Sequence, residues 1–268
     1  MAKSLRHLIL IFYCSMLFLF SINSFANDLY RADARTPQEI RRAGGLLPRG
    51  TYDAYERGTP QNINLFDHAN GTPSGNTRYD DGYVSTTYTL AAAHTIGQNI
   101  LGGLNEYYIY VITPAPNIFD VNGVLGRYSP HPYEHEYAAL GGVPISQVIG
   151  WYRVSFGVIQ GNMTRNSLYR PDLFRGMNIA PNDDGYRLAG FPSGHQAWGE
   201  SPWREHAVAQ CRSELRSGSS KTCHDQINVI SKGEFDHYKI NLRKSNTINL
   251  FNIFSEYHVP QKILREEL

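Results

Sequence analysis

Eight consecutive residues, Glu106-Tyr107-Tyr108-Ile109-Tyr110-Val111-Ile112-Thr113, limit the folds open to this chain more than any other stretch. Aromatic and β-branched side chains dominate the run, and such side chains suit a pleated, packed surface. It predicts a core strand. Val148 to Val158 has the same character and predicts a second one. Shorter strands are expected at Leu29-Tyr30-Arg31-Ala32-Asp33, at Tyr83-Val84-Ser85-Thr86-Thr87 and, from its alternation, at Asn62-Ile63-Asn64-Leu65-Phe66-Asp67-His68. Two helices carry start signals. Thr36-Pro37-Gln38-Glu39 offers an N-cap threonine, a proline at the first helical position and a glutamate placed for a capping box, and Gly44-Gly45 would end that helix. Thr89 caps a second helix over about 90 to 101. From Asn27 to about Trp203 these short elements, rich in Gly, Tyr and Pro, read as one α+β domain.

The ends of the 268-residue chain read differently. Lys3 and Arg6 precede an apolar run from Leu8 to Ser21, and Ser24-Phe25-Ala26 places small residues at the cleavage positions. This is the pattern of a secretory signal peptide spanning residues 1–26, too short to favour a retained membrane span. Removing Lys3 and Arg6 from a formal charge of +1 leaves −1, so the basic surplus of a nucleic-acid binder is absent. Cys14 would leave with the signal, and Cys211 and Cys223 remain as a pair expected to form a disulfide in an oxidising compartment. Arg212, Arg216 and Lys221 lie between them among Ser and Gly, where a trypsin-like protease would cut. Beyond, Ile227, Ile230, Phe235, Tyr238 and Leu242 share one face of an amphipathic helix running to about Lys244. The chain ends in Arg265-Glu266-Glu267-Leu268.

Chemistry is suggested by Glu134-His135-Glu136. In an extended backbone residues i and i+2 share a face, which would put both carboxylates into one space about 6 to 7 Å apart along the chain. Two such carboxylates repel unless cations or donors hold them. His131 and His135 have the spacing of a helical metal pair, but Pro130 and Pro132 oppose a helix there, and no metal is expected. No Walker or Rossmann glycine loop is present.

With these positions laid out, the chain resembles the A subunits of the cholera toxin and heat-labile enterotoxin family, and is more similar to the type II heat-labile enterotoxins than to cholera toxin. The segments that carry the resemblance are Leu29 to Asp33, Gly44-Gly45-Leu46-Leu47-Pro48-Arg49-Gly50, Asn62 to Leu65 with Asp67-His68, Asp80-Asp81-Gly82 to Thr86, Tyr107 to Val111, and Tyr128-Ser129-Pro130-His131-Pro132 leading into Glu134-His135-Glu136. The resemblance implies an α+β ADP-ribosyltransferase fold with an NAD cleft in a catalytic fragment 27–216. A linker helix and tail, 217–268, would then dock in a ring of pentameric B subunits.

By the same resemblance, Glu136 is the catalytic glutamate and Glu134 its partner for transfer to arginine. Arg31 holds the NAD site together, Ser85 hydrogen-bonds the catalytic carboxylate, and His68 supports nucleotide geometry. Ala32, Asp33, Arg35 and Thr86 join Arg31, Ser85 and Glu136 in contacting NAD, and Gly71 to Gly82 forms a flexible loop over the cleft. Thr87 stands where the family's motif ends in serine. The implied activity is transfer of ADP-ribose from NAD to an arginine of a host heterotrimeric G-protein α subunit, raising cyclic AMP, after nicking near Arg212 or Arg216 and disulfide reduction. A host ADP-ribosylation-factor GTPase would activate it, and Arg265–Leu268 would engage an ER-retrieval receptor. The alternatives are an NAD glycohydrolase and a non-enzymatic, toxin-like assembly module.

Overall fold

A computed structural model of the protein describes residues 27–51, 61–73 and 76–207. The expected signal peptide, the Cys211 to Cys223 pair with Arg212 and Arg216, the helix over 227 to 244 and the Arg265–Leu268 tail lie outside the described residues. So do the proposed boundaries at residues 26 and 216.

Among the described residues nine strands run in chain order: β1 Leu29–Asp33, β2 Gly45–Leu46, β3 Tyr83–Thr87, β4 Glu106–Ile112, β5 Ile118–Asp120, β6 Glu136–Leu140, β7 Val143–Pro144, β8 Val148–Ser155 and β9 Val158–Arg165. Seven form one sheet in the order β5-β6-β3-β1-β4-β8-β9, with every pair antiparallel, while β2 and β7 pair separately. The aromatic run supplies β4, flanked by β1 and β8. Its alternation divides the core: Tyr107 and Ile109 pack with Val154 and Ala93 on one face, and Tyr110 and Ile112 with Ile40, Leu46 and Val148 on the other. Both faces of β4 are buried, which is why the run carries almost no polar residues. A third cluster, centred on Phe119, Phe191, Trp198 and Trp203, closes the β5-β6 end. The class is α+β, as expected.

Both signalled helices form. In α1 (Pro37–Arg42) the Thr36 and Glu39 side chains each take the other's backbone N–H, completing the capping box. In α3 (Leu90–Leu101) the Thr89 hydroxyl accepts from Ala92 N at 3.0 Å. Helix α3 lies so close to the sheet that a Cβ on Gly97 would sit 2.6 Å from Tyr107 and 2.9 Å from Ala32. Among the described residues no helix is long and apolar enough to cross a membrane.

Two expectations need correction. Asn62 to His68 is not a strand: Asn62 makes one isolated bridge to Asp81, and the chain then turns into α2 (Leu65–Asn70). The Asn62 side-chain oxygen accepts from Asn64 N at 2.9 Å, a local bond that turns the backbone away from an extended path. Val148 to Val158 is not one strand either. Phe156 and Gly157, at φ +48° and +75°, make the tight turn that separates β8 from β9.

Candidate active site

The sheet order sets β6, β3 and β1 side by side, so Glu136, Ser85 and Arg31 come from three neighbouring strands. Thr87 pairs with Glu136, and Ser85, two residues earlier on β3, shares their face. Arg31 donates from Nη1 to the Ser85 carbonyl at 2.9 Å and from Nε to Asp33 Oδ2 at 3.0 Å. One planar guanidinium therefore ties β3 backbone to a β1 side chain, using a fork that a lysine lacks.

Asp33 is almost fully buried and also receives Arg35, which donates its backbone N–H and two guanidinium N–H groups at 2.8 to 3.0 Å. Tyr110 OH donates to the Arg35 carbonyl at 2.7 Å, holding that turn against the core. Burial alone would raise the Asp33 carboxyl, but the hydrogen bonds and charge of Arg35, with the charge of Arg31, hold it far below the usual carboxylate range.

His68 projects from α2 into the face that carries Glu136. Its Nε2 lies 2.9 Å from Glu136 Oε1 and 3.4 Å from Ser85 Oγ, and its Nδ1 lies 2.8 Å from Asp81 Oδ2. The Tyr83 ring covers it at 5.0 Å. Helix α2 is fixed for this purpose at its start: Asn62 Nδ2 donates to Asp67, and Phe66 N donates to the Ala189 carbonyl. Burial opposes a charged ring, yet the Glu136 charge and the Asp81 hydrogen bond push the His68 pKa up to about 10. Burial likewise opposes a charged Glu136. The His68 cation, the Ser85 hydrogen bond and the more distant Arg31 outweigh it and lower that carboxyl.

Glu134 and Glu136 do not share one extended face. Glu134 ends a 3-10 turn, Pro132–Glu134, and His135 takes the left-handed conformation at φ +48° before β6 begins. Residue 136 enters the sheet with its carboxylate covered, whereas Glu134 stays exposed at the rim. Partial desolvation, then the Glu136 charge, push the Glu134 carboxyl up against the opposing pull of His131. The pair is thus split into a low and a raised carboxyl.

The remaining expected residues lie around this group rather than in it. Ala32 turns its Cβ towards Gly97 and α3, and the buried Thr86 donates its hydroxyl to the Tyr137 carbonyl at 2.7 Å, on the face opposite Ser85. Between Gly71 and Gly82, residues 74–75 are outside the described set. The rest of that loop is tied to Arg49, which donates to the Thr77 carbonyl and lies 4.1 Å over the Tyr79 ring. The His131 ring packs on Tyr133, and the His135 ring on Tyr88. Among the described residues no cluster of three or more His, Cys, Asp or Glu could hold a metal. The residue to which sequence reasoning gave no role is Asp81, which showed there only as part of the Asp80-Asp81-Gly82 segment that carries the resemblance.

The sequence model described as heat-labile enterotoxin alpha chain matches residues 8–268. The chain belongs to that family. It is 62% identical over 232 residues to the heat-labile enterotoxin IIB A chain of Escherichia coli, covering 87% of this chain and 88% of that one. It is 56% identical over 201 residues to a Vibrio cholerae protein named NAD(+)--arginine ADP-ribosyltransferase Chelt, covering 75% of this chain and 33% of that longer one. The solved structure of a heat-labile enterotoxin double mutant matches with a TM-score of 0.64 and 50% identity, covering 84% of this chain and 99% of that chain. This enterotoxin A chain is accordingly an ADP-ribosyltransferase, and NAD is its substrate.

Proposed function

We propose that this enterotoxin A chain transfers ADP-ribose from NAD to an arginine side chain of a host heterotrimeric G-protein α subunit, with Glu136 and Glu134 dividing the work. The observation that carries the reading is the split pair: a covered Glu136 carboxylate 2.9 Å from His68, which lowers it, and Glu134 set apart at the rim by the 3-10 turn and left-handed His135, where partial burial raises it. Titratable partners pushed apart in this way mark an assignment of distinct roles.

Cleavage of the bond between ribose and nicotinamide builds positive charge at the anomeric carbon, as in glycoside hydrolysis. Glu136 accepts a hydrogen bond from the ribose 2′-hydroxyl and puts fixed negative charge beside that centre. Nicotinamide leaves with the bonding electrons. A guanidino nitrogen of the acceptor then bonds to the anomeric carbon and gives up a proton, and Glu134, whose pKa is raised, takes it. Arg31 and Ser85 keep β1, β3 and β6 in register around the nucleotide, while Arg31 and Arg35 supply cationic groups for an anionic dinucleotide.

Family membership supports a wider reading. The chain is secreted with a cleaved signal 1–26, assembles through 217–268 with pentameric B subunits, and is activated by nicking near Arg212 or Arg216 and reduction of Cys211 to Cys223. A host ADP-ribosylation-factor GTPase raises its activity, Arg265–Leu268 engages an ER-retrieval receptor, and the modified G protein raises cyclic AMP. The test is to incubate nicked, reduced protein with labelled NAD and purified α subunits, with and without the GTPase. Label on arginine is expected. Free ADP-ribose alone would replace this reading with an NAD glycohydrolase.

A further inference from the structure

Asp81 is absent from every role assigned above, yet its side chain is more deeply covered than that of Glu136: relative exposure is 1% against 14%. Its carboxylate is fixed by the start of β3, where Oδ1 accepts from Tyr83 N at 3.0 Å. The same carboxylate sits 2.8 and 3.0 Å from His68 Nδ1. On the far side of the ring Nε2 faces Glu136 at 2.9 Å. Ionised carboxylates only accept hydrogen bonds, so a ring held between two of them must carry hydrogen on both nitrogens. The other groups facing His68 are the Ser85 hydroxyl and the Tyr83 ring, and neither replaces the Asp81 charge.

We propose that Asp81 is a positioning residue for NAD cleavage: it holds the His68 ring through Nδ1, keeps Nε2–H aimed at Glu136, and thereby fixes the carboxylate that meets the ribose. The assignment rests on the reading that Glu136 carries the reaction. Its backbone adds a second link, because the Asp81 carbonyl accepts from Gly50 N at 2.8 Å and Asp81 bridges Asn62. The residue that orients the ring is therefore also where two chain segments meet behind the site.

The consequence is a defined electrostatic failure rather than a general loosening. In Asp81→Asn the amide oxygen can still accept Nδ1–H, so the ring keeps its place. Without the negative charge the ring loses its second proton at lower pH, and a bare Nε2 lone pair then faces the Glu136 carboxylate. An orienting acid behind a histidine acts in this way in hydrolytic triads, where the amide substitution preserves geometry and disables chemistry.

The experiment measures NAD hydrolysis without protein acceptor, with kcat and KM separated from pH 5 to 10, for the wild type, Asp81→Asn and Glu136→Gln. For Asp81→Asn the alkaline limb of kcat should move down by about one to three pH units, costing roughly tenfold at pH 9. KM should stay within about twofold, since the ground-state contacts to NAD are intact. An unmoved limb, or an equal loss at every pH, overturns the proposal. Should Asp81→Asn not fold, nitrogen NMR of the wild-type histidines decides, with His68 assigned by its absence from His68→Gln. Two ring protons on His68 at pH 8 support the proposal, and a neutral ring overturns it. Hydrolysis surviving Glu136→Gln would sink the underlying reading, whereas an inactive Glu136→Gln with an unmoved Asp81→Asn limb sinks only the role given to Asp81.

Discussion

Two ion clusters with buried centres flank Ser85, and they are built with opposite logic. Around Asp33, one acid sits between two arginines; around His68, one base sits between two acids. Arginine stays charged at every pH a folded protein meets, so the first cluster is a fixed fastener. Histidine titrates, so the second can change state. Their formal charges also differ in sign, +1 against −1, counting the three side chains of each. On the proposed function, the net positive group suits the anionic dinucleotide and the net negative group suits the cation that develops at the anomeric carbon. The same sheet separates holding from reacting, one strand apart.

Breaking the negative cluster at its reacting end should give the largest effect. Glu136→Gln removes the charge while keeping the shape, and both transfer and hydrolysis should fall by about 1000-fold or more in assays with labelled NAD. Next comes the fastener. In Arg31→Lys a single ammonium cannot reach the Ser85 carbonyl and Asp33 together in the fork geometry seen here, and displacement of β3 by even an ångström should cost about 100-fold in kcat. Glu134→Gln sharpens the comparison by sparing both clusters. Transfer to arginine should drop by about 100-fold or more, with hydrolysis within about fivefold of wild type. Equal losses in the two reactions would contradict the division of labour between the carboxylates.

How much of this was legible in the sequence depends on how local the cause is. The β4 run and the Thr36 to Glu39 capping box were readable because their determinants lie within a few residues, and both appear as expected. Asn62 to His68 misled because Ile63 and Leu65 are buried in a turn and helix start as readily as in a strand, with the asparagine side chains deciding. The Glu134 and Glu136 geometry misled for a similar reason: one left-handed residue, His135, re-aims the pair, and its sequence carries no glycine to announce it. Arg31 and Ser85 were visible only through resemblance to the family, since 54 and 51 residues separate neighbours that the strand order joins, whereas Glu136 also stood out in the acidic pair itself. Asp81 lay in a segment that carries the resemblance but was given no role. Its bond to His68 spans 13 residues and a loop, side chain to side chain, which leaves no periodic trace.

The smallest expected effect is on stability, and it separates the two clusters by pH. His68 has its pKa raised from 6.5 to about 10, so its contribution is complete below pH 6.5 and is lost as pH climbs through 10. Asp33 and Glu136 are both lowered, from 3.8 and 4.5, so their contributions are complete above those values and are lost as pH falls. Urea unfolding of the domain should therefore be most demanding between about pH 5 and 6.5. Going from pH 7 to 10 should cost roughly 3 kcal/mol, and the His68→Gln variant should show a flatter alkaline limb and lose the Glu136 share of the acid limb, leaving that limb to Asp33. Arg35→Gln should do the reverse, shifting the acid limb to higher pH and leaving the alkaline one in place. If Arg35→Gln also flattens the alkaline limb, the two clusters are one electrostatic unit coupled through Arg31, and the fixed and titratable halves are not separable.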